Sequence, residues 1–148
     1  MGEGIARRLA SEGAAVVVSG RRTAEGERVA QSLRDAGGQA AFVRADVASE
    51  ADCAALIRGT AERFGRLDIL VNNAGITPAS PLEQQTVAQW DEIFAINVRG
   101  AFVCCREAVP LMRRHGGGRI INIGSTVPYR AKVDRLAYAC SKGALLTM

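Results

Sequence analysis

Along this chain, short apolar runs alternate with longer segments in which apolar residues recur every three or four positions. The run Ala14, Ala15, Val16, Val17, Val18 is continuous and β-branched, the pattern of a strand buried on both faces. Ala40, Ala41, Phe42 and Val43 form a second such run, 67–71 a third and 119–123 a fourth. Between them the apolar period lengthens to that of an amphipathic helix. Residues 4–11 place Ile5 and Leu9 on one side with Ala6 and Ala10, and Gly13 is suited to close that helix in a left-handed turn. Thr23 reads as the N-cap of a helix to about Ala36, stopped by Gly37 and Gly38. Ser49, Glu50, Ala51 and Asp52 resemble a capping box that opens a helix to Phe64, before Gly65. A loop is expected over 76–86, then a long helical stretch from Val87 to Arg114 with a break between Asn97 and Gly100. Gly116, Gly117 and Gly118 make a further loop, and a last helix runs from Ala137.

Strands that alternate with helices predict a doubly wound α/β fold with a parallel sheet. The expected strands lie near 14–19, 40–44, 67–72 and 119–123. Right-handed crossovers bring every strand's carboxyl end to one edge, where ligands bind in open α/β sheets. That edge receives Ser19 to Arg22, Asp46, Asn72 to Gly75, and Ser125. No repeat, low-complexity tract or linker divides the 148 residues, so they read as one domain.

An apolar content of 48% is enough for a core, yet no run of roughly 18 apolar residues exists, so no membrane helix is expected. The net charge is +4, and the arginines that carry most of the basic charge are scattered among acids. Scattered charge and only 5% aromatic residues argue against a nucleic-acid-binding surface. Cys53, Cys104, Cys105 and Cys140 form no Cys-x-x-Cys pair, and His115 is the lone histidine, so no metal site is expected. Reduced thiols and the absence of an apolar signal region in the first eight residues point to a cytoplasmic protein. Cys140 is expected to pack away from the face that carries its neighbours Tyr138 and Lys142.

Candidate chemistry rests on four side chains, Asn97, Ser125, Tyr138 and Lys142, spaced by 28, 13 and 4 residues. On a helix, Tyr138 and Lys142 share a face one turn apart. A phenol titrates near 10, and an ammonium beside it favours the phenolate, so the pair suits proton transfer. Ser125 is placed to hold a carbonyl oxygen nearby. Taken singly, a buried tyrosine and a surface lysine on an ordinary helix explain the pattern as well. Together with Asn72-Asn73-Ala74-Gly75 the constellation resembles the short-chain dehydrogenase/reductase family, in a form like the 3-oxoacyl-carrier-protein reductases.

That resemblance implies an oxidoreductase that moves a hydride between NADP(H) and a carbonyl or alcohol. Tyr138 would be the general acid and base. Lys142 would lower its pKa and bond the cofactor ribose, Ser125 would bond the substrate oxygen, and Asn97 would hold a water that relays protons to Lys142. Gly2, Val47, Asn73, Ala74 and Gly75 would line the cofactor. Asp46 would accept from the adenine amino group, or simply initiate a helix. Where NAD-binding folds place an acid after this strand, Arg21 and Arg22 stand. Two guanidinium groups suit a 2′-phosphate, so NADP is favoured over NAD, with two solvated arginines as the plain alternative.

The family opens with a strand and Thr-Gly-x-x-x-Gly-x-Gly. Gly2 matches the last glycine of that motif, and the chain stops inside the helix of Tyr138 and Lys142. A partial Rossmann-like fold is therefore expected, without the first strand and the last two. The parent enzyme is expected to form a homodimer or homotetramer. The 148 residues alone are expected to be unstable and inactive, with exposed edges at 15–18 and 67–71. A non-catalytic fragment, or an interaction remnant that keeps the motifs, is the alternative.

Overall fold

The structure, a computed structural model, describes residues 1–130 and 132–148. The chain runs α1 (Gly2–Ser11), β1 (Val16–Gly20), α2 (Thr23–Asp35), β2 (Ala40–Arg44), α3 (Glu50–Phe64) and β3 (Ile69–Asn72). It continues through α4 (Val87–Phe94), a π-helical turn (Ala95–Arg99), α5 (Gly100–Arg114), β4 (Arg119–Asn122) and α6 (Leu136–Leu146). The alternation and the parallel pairing are those expected. β1 pairs with β2 in the register Val16 to Ala40, and β3 with β4 in the register Ile69 to Arg119.

The two pairs do not join. They form separate two-stranded sheets, with β1 and β3 on opposite walls of a cleft of about 710 Å³. Each sheet has its own core. Val16 and Ala40 pack with Ala6, Ala30 and Leu33 from α1 and α2. Leu70 packs with Cys53, Ile57, Val103, Cys104 and Met112 from α3 and α5. Full burial of the strands, implied by their continuous apolar runs, is corrected by this geometry. Val17 and Val18 are half-buried and Ile69 is 37% exposed, because one flank of each strand faces the cleft.

Local signals were met with shifts at the ends. α1 begins at Gly2 rather than Gly4 and closes in a Schellman turn. Gly13, at φ +90°, donates to Ala10, and Ala14 donates to Leu9. Thr23 is the first helical residue of α2 and not its cap; Arg22 holds that place without a side-chain bond. Ser49 does cap α3, its Oγ accepting from the Asp52 N–H at 3.2 Å. The reciprocal half of the box is absent, because the Asp52 carboxylate accepts from the Asp46 N–H at 2.9 Å. A complete capping box lies instead at Thr86 and Gln89, which bond each other's backbone N–H at 3.2 and 2.9 Å. The break expected near Asn97 is the π-helical turn.

The crossing from β2 to α3 links the two halves. There the Cys53 thiol donates to the Val47 carbonyl, Arg99 donates to the Ala48 carbonyl, and Gly100 seats its Cα against Val47. A Cβ on Gly100 would stand 2.5 Å from the Val47 oxygen, a backbone atom that cannot rotate away. Alanine gains about 1 kcal/mol of helix propensity over glycine, but overpacking costs about 1–3 kcal/mol. Gly100→Ala should therefore destabilise the fold, seen as a lower urea midpoint than that of wild type.

Candidate active site

The carboxyl ends of β3 and β4 carry the candidate residues. At the end of β3, Asn72 donates across the sheet to the Asn122 side chain at 2.9 Å, which ties the two strand ends together. The chain then turns through Asn73, Ala74 and Gly75 to Ile76. There the Asn97 side chain clasps the backbone: its Oδ1 accepts from the Ile76 N–H at 2.8 Å and its Nδ2 donates to the Ile76 carbonyl at 3.0 Å. The second Nδ2 proton goes to the Ser141 hydroxyl at 3.0 Å. Asn97 is 1% exposed, so a free amide there would be costly, and the π-helical turn is the local shape that delivers it.

Ser141 is the residue that the sequence reading missed. It is fully buried on α6, accepts from Asn97 and donates to the Tyr138 carbonyl at 2.8 Å. Its signal was present, three positions after Tyr138 on the same helical face. The next residue, Lys142, is 4% exposed and donates from Nζ to the Ile123 carbonyl at 2.6 Å. Burial pulls the Lys142 pKa below its ordinary value. Its Nζ lies 6.0 Å from the centre of the Tyr138 ring. A Cβ on Gly75 would lie 3.3 Å from Asn97 Oδ1 and 3.6 Å from Lys142 Nζ, so the strand end passes directly against both side chains.

Tyr138 is half-buried on α6, as is Ser125 in the turn after β4. The Ser125 hydroxyl accepts from the Val127 N–H at 3.2 Å, and no hydrogen bond joins it to Tyr138 among the described residues. Asn97, Tyr138 and Lys142 are thus brought together through Ser141, Gly75 and Ile76. Ser125 adjoins them through Ile123, two residues before it. The water relay expected of Asn97 finds its side chain already committed to Ile76 and Ser141. Cys140 corrects the sequence reading: it is exposed instead of packed. Cys53 and Cys104 are buried, and burial pushes the Cys104 thiol up to about 12.

The cofactor candidates line the cleft. Gly2, Arg21, Asp46, Val47, Asn73, Ala74 and Gly75 all face it, whereas Arg22 stands outside on the α2 cap. A Cβ on Gly2 would stand 2.9 Å from the Asn73 side chain, so the first turn of α1 meets the end of β3. Asp46 holds an Asx turn, its Oδ1 accepting from the Ala48 N–H at 3.0 Å, and its Oδ2 lies 3.9 Å from Arg21. The Arg22 guanidinium lies 3.3 Å from the Glu25 carboxylate. Both guanidinium groups are mostly exposed and free to turn to a ligand. No cluster of metal-ligating residues occurs among the described residues, and no described helix is long and apolar enough to cross a membrane.

Comparison with known proteins finds relatives along the whole chain. A family model described as short chain dehydrogenase matches residues 1–148. An uncharacterized oxidoreductase of Thermotoga maritima is 38% identical over 98% of this chain and 59% of its own length. The L-fucose dehydrogenase of Oryctolagus cuniculus is 39% identical over 100% of the chain and 51% of its own. The crystal structure of a metagenomic short-chain oxidoreductase in complex with NADP superposes with a TM-score of 0.94 at 35% identity, covering 99% of this chain and 66% of that one. The chain spans little more than half the length of these two curated relatives.

Buried Lys142 yields a test of the site. With its folded pKa depressed, the unfolded chain holds the proton more tightly, so stability rises with pH between the folded value and the unfolded one near 10.4. Unfolding in urea at pH 7 and pH 10 should show this stabilising trend in wild type relative to Lys142→Met. Parallel changes in the two proteins would mean that Lys142 is not desolvated.

Proposed function

The chain belongs to the short-chain dehydrogenase family, and on that premise we propose that it forms a partial NAD(P)-binding domain, residues 1–148, of a cytoplasmic oxidoreductase that acts on a carbonyl or alcohol. The observation that carries this reading is the passage of Gly75 between Asn97 and Lys142, with Tyr138 one turn before Lys142 on α6. It sets a proton-transfer pair beside the strand end that lines the cleft.

NADP(H), when bound, would supply or take up the hydride. The residues present fit its adenosine end. Arg21 and Arg22 would pair with the 2′-phosphate, Asp46 and Val47 would line the adenine, and Asn73 to Gly75 would lie along the sugar. Gly2, in the first turn of α1, would line the cofactor.

Tyr138 would donate its phenolic proton to the substrate oxygen in reduction and recover it in oxidation. Ser125 would hold that oxygen through its hydroxyl. Lys142 keeps two Nζ protons beyond the one given to Ile123; these would reach the ribose and support the phenolate. Asn97 would keep Lys142 placed, through Ser141 and α6. In an active preparation, Tyr138→Phe should lower turnover at least about 10²-fold, with cofactor affinity retained. Near-normal turnover would remove Tyr138 from the mechanism.

Replacing Arg21 and Arg22 together by alanine should weaken NADPH binding by a few kcal/mol, on the order of two charge-assisted hydrogen bonds. NADH binding should barely change. Equal losses in a fluorescence titration would assign the arginines to the surface. A second reading is a non-catalytic remnant with inherited motifs. Cofactor titration of the chain separates the two, since a remnant would bind neither form.

A further inference from the structure

Between β2 and α3 the chain turns through residues 45–49, and the backbone groups of Asp46, Val47 and Ala48 are held there one by one. The Asp46 N–H donates to Asp52 Oδ2 at 2.9 Å, and the Asp46 carbonyl accepts from the Ser49 N–H at 2.9 Å. The Ala48 N–H donates to Asp46 Oδ1 at 3.0 Å. The Val47 carbonyl accepts from the Cys53 thiol at 3.4 Å, and the Ala48 carbonyl from Arg99 at 3.3 Å. The remaining group, the Val47 N–H, has no protein partner among the described residues. Backbone donors away from bulk water need partners, and Val47 lines the cleft. The turn therefore offers one donor at Val47 beside the acceptor carboxylate of Asp46.

We propose that Asp52 is a positioning residue for the adenine of a nicotinamide cofactor, acting by fixing the Asp46 backbone so that the Asp46 carboxylate and the Val47 N–H meet the ring together. Asp52 takes this role only if the cleft binds a dinucleotide, as proposed above. An acid three residues after a serine cap ordinarily folds back onto the N–H of that cap. Here the Ser49 N–H is taken by Asp46, and the Asp52 carboxylate reaches past it to the end of β2. Its other oxygen accepts from the Ser49 hydroxyl at 3.1 Å, so one carboxylate ties the cap of α3 to the residue that faces the ligand. The bond from the Asp46 N–H holds the Asp52 carboxyl below its ordinary pKa. The acceptor is thus charged at neutral pH, which strengthens the bond. Asp52 does not itself line the cleft, whereas Asp46 and Val47 do, so its effect passes through them. Adenine is common to NADH and NADPH, so Asp52 serves both alike, in contrast to Arg21 and Arg22.

The test titrates the chain with 5′-AMP, NADH and NADPH by calorimetry, and reads hydrogen exchange at the Asp46 and Cys53 amides without ligand. Asp52→Ala should weaken all three ligands by one common factor, about tenfold. Its Asp46 amide should exchange at least about tenfold faster, while the Cys53 amide in α3 keeps its protection. Asp52→Asn retains an oxygen acceptor and should restore both affinity and protection. Glu50→Ala removes an acid from the same helical turn, one paired with Arg106 at 2.7 Å, and should bind as wild type does. Unchanged 5′-AMP affinity in Asp52→Ala, or a loss confined to NADPH, would overturn the role of Asp52 and leave the dinucleotide reading standing. A loss as large in Asp52→Asn, or equal loosening of the Cys53 amide, would reduce Asp52 to a support of α3 and overturn the role as well. A wild-type chain that binds none of the three ligands would overturn the dinucleotide reading, and this role with it.

Discussion

Backbone N–H and C=O groups inside a parallel sheet need partners on both flanks, and most other features of this molecule follow from where that demand is met. It is met between β1 and β2 and between β3 and β4, and left open between β1 and β3. The apolar side chains consequently separate into two cores, one under each pair. A buried core resists division because each packed side chain excludes water from its neighbours. Here the division is bridged by the β2–α3 crossing, where close seating on a glycine replaces side-chain interdigitation.

The candidate chemistry sits on the β3–β4 half, and its side chains are held chiefly by main-chain atoms. Ile76 fixes Asn97 from both its N–H and its carbonyl, and Ile123 fixes Lys142. Ile123 directly follows β4, whose position the sheet determines, so Lys142 inherits the rigidity of the ladder, while Ile76 closes the turn after β3. The β1–β2 half contributes the exposed arginines and Asp46 across the cleft. The relative placement of the two halves thus governs whether a ligand could touch both sets together.

Periodicity and punctuation made the elements readable. Apolar runs located four strands, and Gly13, Ser49 and Asn97 marked the helix end, cap and bend that the structure has. Spacing alone brought Asn97, Tyr138 and Lys142 to one place. What the sequence could not show were the parts that depend on backbone partners. Every residue has a carbonyl, so nothing distinguishes Ile76 or Ile123 in the text. Ser141 was hidden for a related reason, since a small hydroxyl beside a lysine is as common on a surface as in a core. Thr23 and Thr86 show the limit at caps: the two threonines look alike in sequence, and only Thr86 has a side chain three places on, Gln89, that answers its own.

The thiols have a practical consequence. Cys53 and Cys104 are sequestered between α3 and α5, and their desolvation disfavours the thiolate that alkylating reagents require. Cys105, half-buried, accepts from the Asn72 amide at 3.3 Å, and desolvation raises its pKa as well. Cys140 is exposed. A maleimide dye would therefore mark α6 first, two residues from Tyr138 and from Lys142. The molecule carries a built-in address for a spectroscopic label on the helix whose position matters most.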